Sequence, residues 1–110
     1  MEVLPQLIAL RLKDKDPKLV LIDIRPADER KLASIPGDVH IPTENVEKEI
    51  TKYKGKDVVL YCHHGVRSGI LAEKLIEQGF TNVKSMAGGI DAWSDKVDKN
   101  IKKYGEEHKH

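Results

Sequence analysis

One cysteine, Cys62, is the whole thiol inventory of this chain of 110 residues. A lone thiol excludes an internal disulfide and any zinc site of the two-Cys or four-Cys type. Charge of one sign is lacking too, since 19 Lys plus Arg stand against 18 Asp plus Glu for a formal net charge of +1. That balance argues against a dedicated nucleic-acid binder, which carries a basic excess on one face. No apolar stretch approaches the roughly 18 residues of a membrane span. The opening Met1-Glu2-Val3-Leu4-Pro5 shows no basic region leading into an apolar one. The expected setting is cytoplasmic and reducing, with neither nucleic acid nor membrane as a partner.

Repeats and Gly/Ser/Pro-rich linkers are also missing, so residues 1–94 read as one domain. At this size about two-thirds of the unfolded surface can be buried, enough for a core that needs neither metal nor cofactor. Residues 95–110 read as a charged extension, helical or frayed. There Lys96, Lys99, Lys102, Lys103 and Lys109 mix with Asp95, Asp98, Glu106 and Glu107, the composition of a solvated face.

What is present is an alternation of apolar runs and amphipathic stretches. Pro5 and the Leu7, Ile8, Leu10, Leu12 series predict a helix ending near Asp14. The run 19–24 and the run 57–61 are continuous enough for strands covered on both faces. Between them, Pro26 at a first helical position opens a helix over 27–32, Ile35-Pro36-Gly37 turns, and Val39-His40-Ile41 gives a short strand. Thr43 is expected to cap a helix through Val46, Ile50 and Tyr53. Residues 68–78 carry an apolar helical stripe, 80–85 a short strand, and Gly88-Gly89 precedes a helix with Ile90, Ala92 and Trp93. The expected fold is α/β, an open, mainly parallel sheet with helices on both faces, whose ligands sit at the C-terminal strand edges.

Cys62 ends one of those strands and opens the segment Cys62-His63-His64-Gly65-Val66-Arg67-Ser68. Taken alone, a single cysteine is most often a small buried hydrophobe. Its position argues otherwise. A following helix N-terminus offers unpaired N–H groups and partial positive charge, which favour the thiolate, the reactive form. Gly65 permits a positive φ, so the loop can curl its N–H groups around one anionic atom. Arg67 either attracts an anionic substrate or pins the loop by pairing with a carboxylate. His63 and His64 flank the same loop; with no carboxylate at ligand spacing they are poor chelators, and no metal is expected. Asp23 and Arg25 read as a structural pair beside the site, because a charge at an apolar strand end needs a partner. Gly88 and Gly89 read as a turn passing close to the loop.

Together these segments resemble the single-domain rhodaneses, a sulfurtransferase family. Asp23-Ile24-Arg25 is similar to its Asp-x-Arg, Ile35-Pro36-Gly37 with Ile41-Pro42 to its Ile-Pro-Gly turn and following Ile-Pro, and 62–68 to its active loop. Gly79-Phe80 with Asn82-Val83, and Gly88-Gly89-Ile90 with Ala92 and Trp93, complete the order. The chain departs from the pattern at Ala33-Ser34, where Gly-His is common, and at Asp38, where a small apolar residue is commoner.

The resemblance implies that Cys62 takes the outer sulfur of thiosulfate or a persulfide and passes it, as a Cys62 persulfide, to a thiol or protein-cysteine acceptor. The loop residues His63, His64, Gly65, Val66, Arg67 and Ser68 would bind substrate, Asp23, Arg25, Gly88 and Gly89 would support the site, and no cofactor is implied. Two other readings remain. One is a sulfur-carrier or regulatory docking module with little turnover. The other is a thiol-dependent phosphatase or arsenate reductase, disfavoured because those resemble Cys-x5-Arg and Cys62 to Arg67 is one residue shorter.

Overall fold

The computed structural model describes residues 1–105. Five strands, β1 (Glu2–Val3), β2 (Leu19–Asp23), β3 (Val39–His40), β4 (Asp57–Tyr61) and β5 (Val83–Met86), form one sheet in the order β1-β5-β4-β2-β3. Every pairing is parallel. Helices α1 (Pro5–Lys13), α2 (Ala27–Leu32), α3 (Thr43–Glu49), α4 (Val66–Glu77) and α5 (Gly89–Lys96) make the connections. The α/β architecture is therefore the one expected from the alternating pattern.

Side-chain alternation along the two central strands divides the core. From β2 and β4, Ile22, Val58, Leu60 and then Cys62 face a cluster completed by Val46 of α3 and by Leu71, Ala72 and Leu75 of α4. Leu21, Val59 and Tyr61 face the opposite cluster, with Ile8 of α1 and Ile90 and Trp93 of α5. Both faces are covered, which explains the unbroken apolar runs of β2 and β4.

Several boundaries differ from the sequence reading. Strand β1 carries only two residues, too few for a periodic signal, and forms by pairing Glu2 with Ser85 and Val3 with Met86. Pro26 caps α2 in an extended conformation instead of occupying its first turn. Pro42, not Thr43, caps α3, and the Thr43 hydroxyl donates to the Ile24 carbonyl at 3.0 Å. Helix α3 tightens into a 3-10 turn over Ile50–Tyr53. Helix α4 begins at Val66, two residues before the expected start, because Gly65 already turns the chain. Strand β5 lies at Val83–Met86, since Phe80 leaves the strand line to pack against the core.

The largest difference concerns the tail. Helix α5 stops at Lys96, and the chain then folds back with the Ser94 hydroxyl donating to the Ile101 carbonyl at 2.7 Å. Val97 and Ile101 pack on the second cluster and Tyr104 joins it, only 8% exposed. Residues 97–105 are thus part of the folded body, not a frayed end, because three apolar side chains outweigh the lysines between them. Glu106, Glu107 and Lys109 lie outside the described residues.

Candidate active site

Strand β4 runs out at Tyr61 and leaves Cys62 at the C-terminal edge of the sheet, 1% exposed. The loop then doubles back, with Gly65 at φ 95° as the cap of α4. That curl aims two backbone donors at one atom: Gly65 N–H reaches Cys62 Sγ at 3.2 Å and Ser68 N–H reaches it at 3.4 Å. The Cys62 thiol faces the Ser68 hydroxyl at 3.5 Å, and Ser68 Oγ lies 2.7 Å from Ser85 Oγ on β5. Developing negative charge on this sulfur would meet oriented dipoles at the start of a helix.

Helix α5 holds the loop from behind. The Ile90 and Asp91 N–H groups donate to the carbonyls of Cys62 and His63 at 2.9 and 3.2 Å. Gly89, at φ 63°, lies so close that a Cβ there would collide with the backbone of Cys62 and His63. Gly88, at φ 75°, caps the helix.

Arg67 points along the surface. Its Nη1 and Nη2 each donate at 3.0 Å to the two carboxylate oxygens of Glu29 on α2. Hydrogen bonding to Glu29 raises the Arg67 pKa against the opposing effect of burial. Burial pushes the Glu29 pKa up, but Arg67 and Tyr104 outweigh it and the net direction is down. Val66, beside it, is 66% exposed.

Asp23 and Arg25 form a fully buried bidentate pair, Nε to Oδ1 and Nη2 to Oδ2, both at 2.8 Å. Arg25 also donates to the Tyr104 hydroxyl at 2.9 Å and the Ala33 carbonyl at 2.6 Å. Burial opposes the charge on Arg25, yet Asp23 and Tyr104 together leave its pKa raised. A second layer follows: Arg30 bridges Asp23 and Asp38, and Tyr61 donates to Asp38 at 2.6 Å. The unusual Asp38 thus has the Arg30 guanidinium and the Tyr61 hydroxyl as partners.

His63 and His64 stack at 3.8 Å, and Tyr104 stacks on His63 at 3.9 Å. Asp91 sits against both imidazoles, Oδ1 at 3.0 Å from His63 Nε2 and Oδ2 at 3.0 Å from His64 Nε2. The tertiary fold therefore supplies the nearby carboxylate that the sequence reading did not see. His63 Nε2 and Asp91 Oδ1 are buried and make this contact without an aligned hydrogen bond. The donor atoms of the three residues lie within 4.8 Å of one another, as a metal would require. The ring planes are only 20° from parallel, however, so their in-plane lone pairs cannot both aim at one ion between them. Burial holds the His63 pKa below its ordinary value, against the pull of Asp91.

Sequence reasoning missed Glu29, Asp91 and Tyr104. Only Glu29 had a local signal, an acid one turn into the short helix after Arg25.

The fold is a parallel α/β sheet with a cysteine at the C-terminal edge of a central strand, its sulfur met by the backbone N–H groups of Gly65 and Ser68. The family model of the rhodanese-like domain matches residues 5–96, and the chain belongs to that family. It is 34% identical over 96 residues to the adenylyltransferase and sulfurtransferase UBA4 of Candida albicans, covering 79% of this chain and 22% of that protein. It is 34% identical over 80 residues to the thiosulfate sulfurtransferase GlpE of Coxiella burnetii, covering 72% of this chain and 75% of GlpE. A rhodanese-related protein from Thermoplasma volcanium shares the fold at a TM-score of 0.74 and 23% identity, over 87% of this chain and 92% of that one. The chain spans about a fifth of the length of UBA4. Among the described residues no helix is long and apolar enough to cross a membrane.

Proposed function

We propose that this protein is a sulfurtransferase that moves a sulfane sulfur from thiosulfate or a persulfide through Cys62 to a thiophilic acceptor. The observation that carries the reading is the convergence of Gly65 N–H and Ser68 N–H on Cys62 Sγ at 3.2 and 3.4 Å. Two displacements at sulfur make up the cycle. The Cys62 thiolate attacks the outer sulfur of the donor, a new S–S bond forms, and sulfite or a thiolate leaves. An acceptor thiolate then attacks that outer sulfur and Cys62 departs as thiolate. Neither step consumes a cofactor. Gly65 and Ser68 hold the persulfide anion, His63, His64, Val66 and Arg67 line the approach, and Asp23, Arg25, Gly88 and Gly89 hold the loop in shape.

The acceptor thiol lies outside these 110 residues, which hold no second cysteine. Exposed Val66 and Ile70 on the first turns of α4 favour a second reading, in which that acceptor is a protein and the chain acts as a sulfur carrier. The unpaired thiol fits a reducing, cytoplasmic location.

Mass spectrometry after incubation with thiosulfate or cysteine persulfide tests the reading. One extra sulfur atom on Cys62, absent from Cys62→Ser, is the expected result. An unmodified Cys62 with both donors overturns it.

A further inference from the structure

We propose that the Glu29–Arg67 pair, braced by Tyr104, makes Cys62 select persulfide donors over thiosulfate. The inference rests on the sulfurtransfer reading and names its donor class.

Arg67 is the cation that the cysteine loop itself supplies. Both of its terminal nitrogens are engaged by Glu29, and Glu29 is in turn fixed by the Tyr104 hydroxyl at 2.6 Å. Tyr104 is fixed by Arg25 at 2.9 Å and by its stack on His63. An exposed ion pair by itself is weak and easily exchanged. Here the carboxylate has a buried third partner, so the pair is set in place before any donor arrives. Asp91 adds a second carboxylate beside His63 and His64 of the same loop.

Thiosulfate is a dianion whose three sulfonate oxygens call for cationic partners. To recruit Arg67 it must displace Glu29 and approach a carboxylate. A persulfide such as R–S–SH asks less of the site. The Cys62 thiolate attacks the outer sulfur, the S–S bond of the donor breaks as the Cys62 S–S bond forms, and RS⁻ leaves to take a proton from solvent. The Cys62 sulfur is oxidised, the sulfur of R is reduced, and the hydrogen stays on the transferred sulfur. Gly65 N–H and Ser68 N–H suffice to hold the resulting Cys62 persulfide. Tyr104 lies beyond residues 5–96 matched by the family, so this brace is added by the segment that follows the shared domain.

The test measures the rate of Cys62 persulfide formation from cysteine persulfide and from thiosulfate, by quenching with an alkylating reagent and mass spectrometry. Wild type should load faster from cysteine persulfide. Glu29→Gln, which removes the competing charge, should lower that preference by about tenfold. Glu29→Gln combined with Arg67→Ala should restore it, and Tyr104→Phe should lower it by a smaller factor. A wild type that loads faster from thiosulfate overturns the proposal whether or not any variant folds. A folded Glu29→Gln protein with the wild-type ratio also overturns it. Failure of wild type to load from either donor overturns the sulfurtransfer reading itself, and the two failures are told apart by whether Cys62 gains sulfur at all.

Discussion

Tyr104 and His63 lie face to face, their ring centroids 3.9 Å apart and their planes 13° from parallel. The contact ties the end of the described chain to the residue after Cys62, and it makes Tyr104 a structural part of the site. Tyr104→Ala should cost about 2–4 kcal/mol of stability, the cost of removing a buried aromatic ring. Tyr104→Phe keeps the ring but leaves Arg25 and Glu29 each short of one hydrogen bond, costing about 1–2 kcal/mol. Urea denaturation of the two variants against wild type checks both the direction and the order.

Gly89 sits where a side chain has no room. Gly89→Ala should force the Cys62-His63 backbone away from α5, because the added Cβ meets the carbonyls of both residues and the positive φ disfavours alanine. Persulfide loading of Cys62 should fall by at least about tenfold, with a loss of stability of about 1–3 kcal/mol. A loading rate at the wild-type level would show that α5 does not set the loop.

Asp23 faces two arginines from a fully buried position, Arg25 at 2.8 Å and Arg30 at 3.0 Å. Asp23→Asn should destabilise the protein by about 3–5 kcal/mol, because the buried Arg25 guanidinium loses its counter-charge. Thermal unfolding should show the loss as a lowered Tm, and adding Arg30→Gln should deepen it by much less than the first change, since the two share one carboxylate.

His63 gives the stability a pH dependence. Its pKa in the folded protein is below the ordinary value of 6.5, chiefly through burial. The unfolded chain therefore takes up the proton more readily, and its contribution is full above 6.5 and lost as pH falls from 6.5 toward the folded value. Denaturant midpoints should drop between about pH 7.5 and about pH 5.5. His63→Gln should flatten that part of the profile; an unchanged slope would assign it to other groups.

The amino-acid sequence by itself determined the parts that rest on neighbours along the chain. The apolar runs of β2 and β4 announce covered strands, Gly65 announces the turn into α4, and both together put Cys62 at a strand end before a helix. Apolar spacing and a residue's own φ range act within a few positions, so they are legible without knowing where the chain goes next. The tertiary structure alone decided the sheet order β1-β5-β4-β2-β3, the two-residue β1, and the partners around the cysteine loop. Arg67 meets Glu29 across 38 positions and Tyr104 meets Glu29 across 75, separations at which no periodicity survives. The tail shows the same limit from the other side: its lysines suggested a solvated end, while Val97, Ile101 and Tyr104 found a cluster built by α1, β4 and α5. A residue's composition and spacing state which surface it prefers to leave, and only the folded chain supplies the surface that receives it.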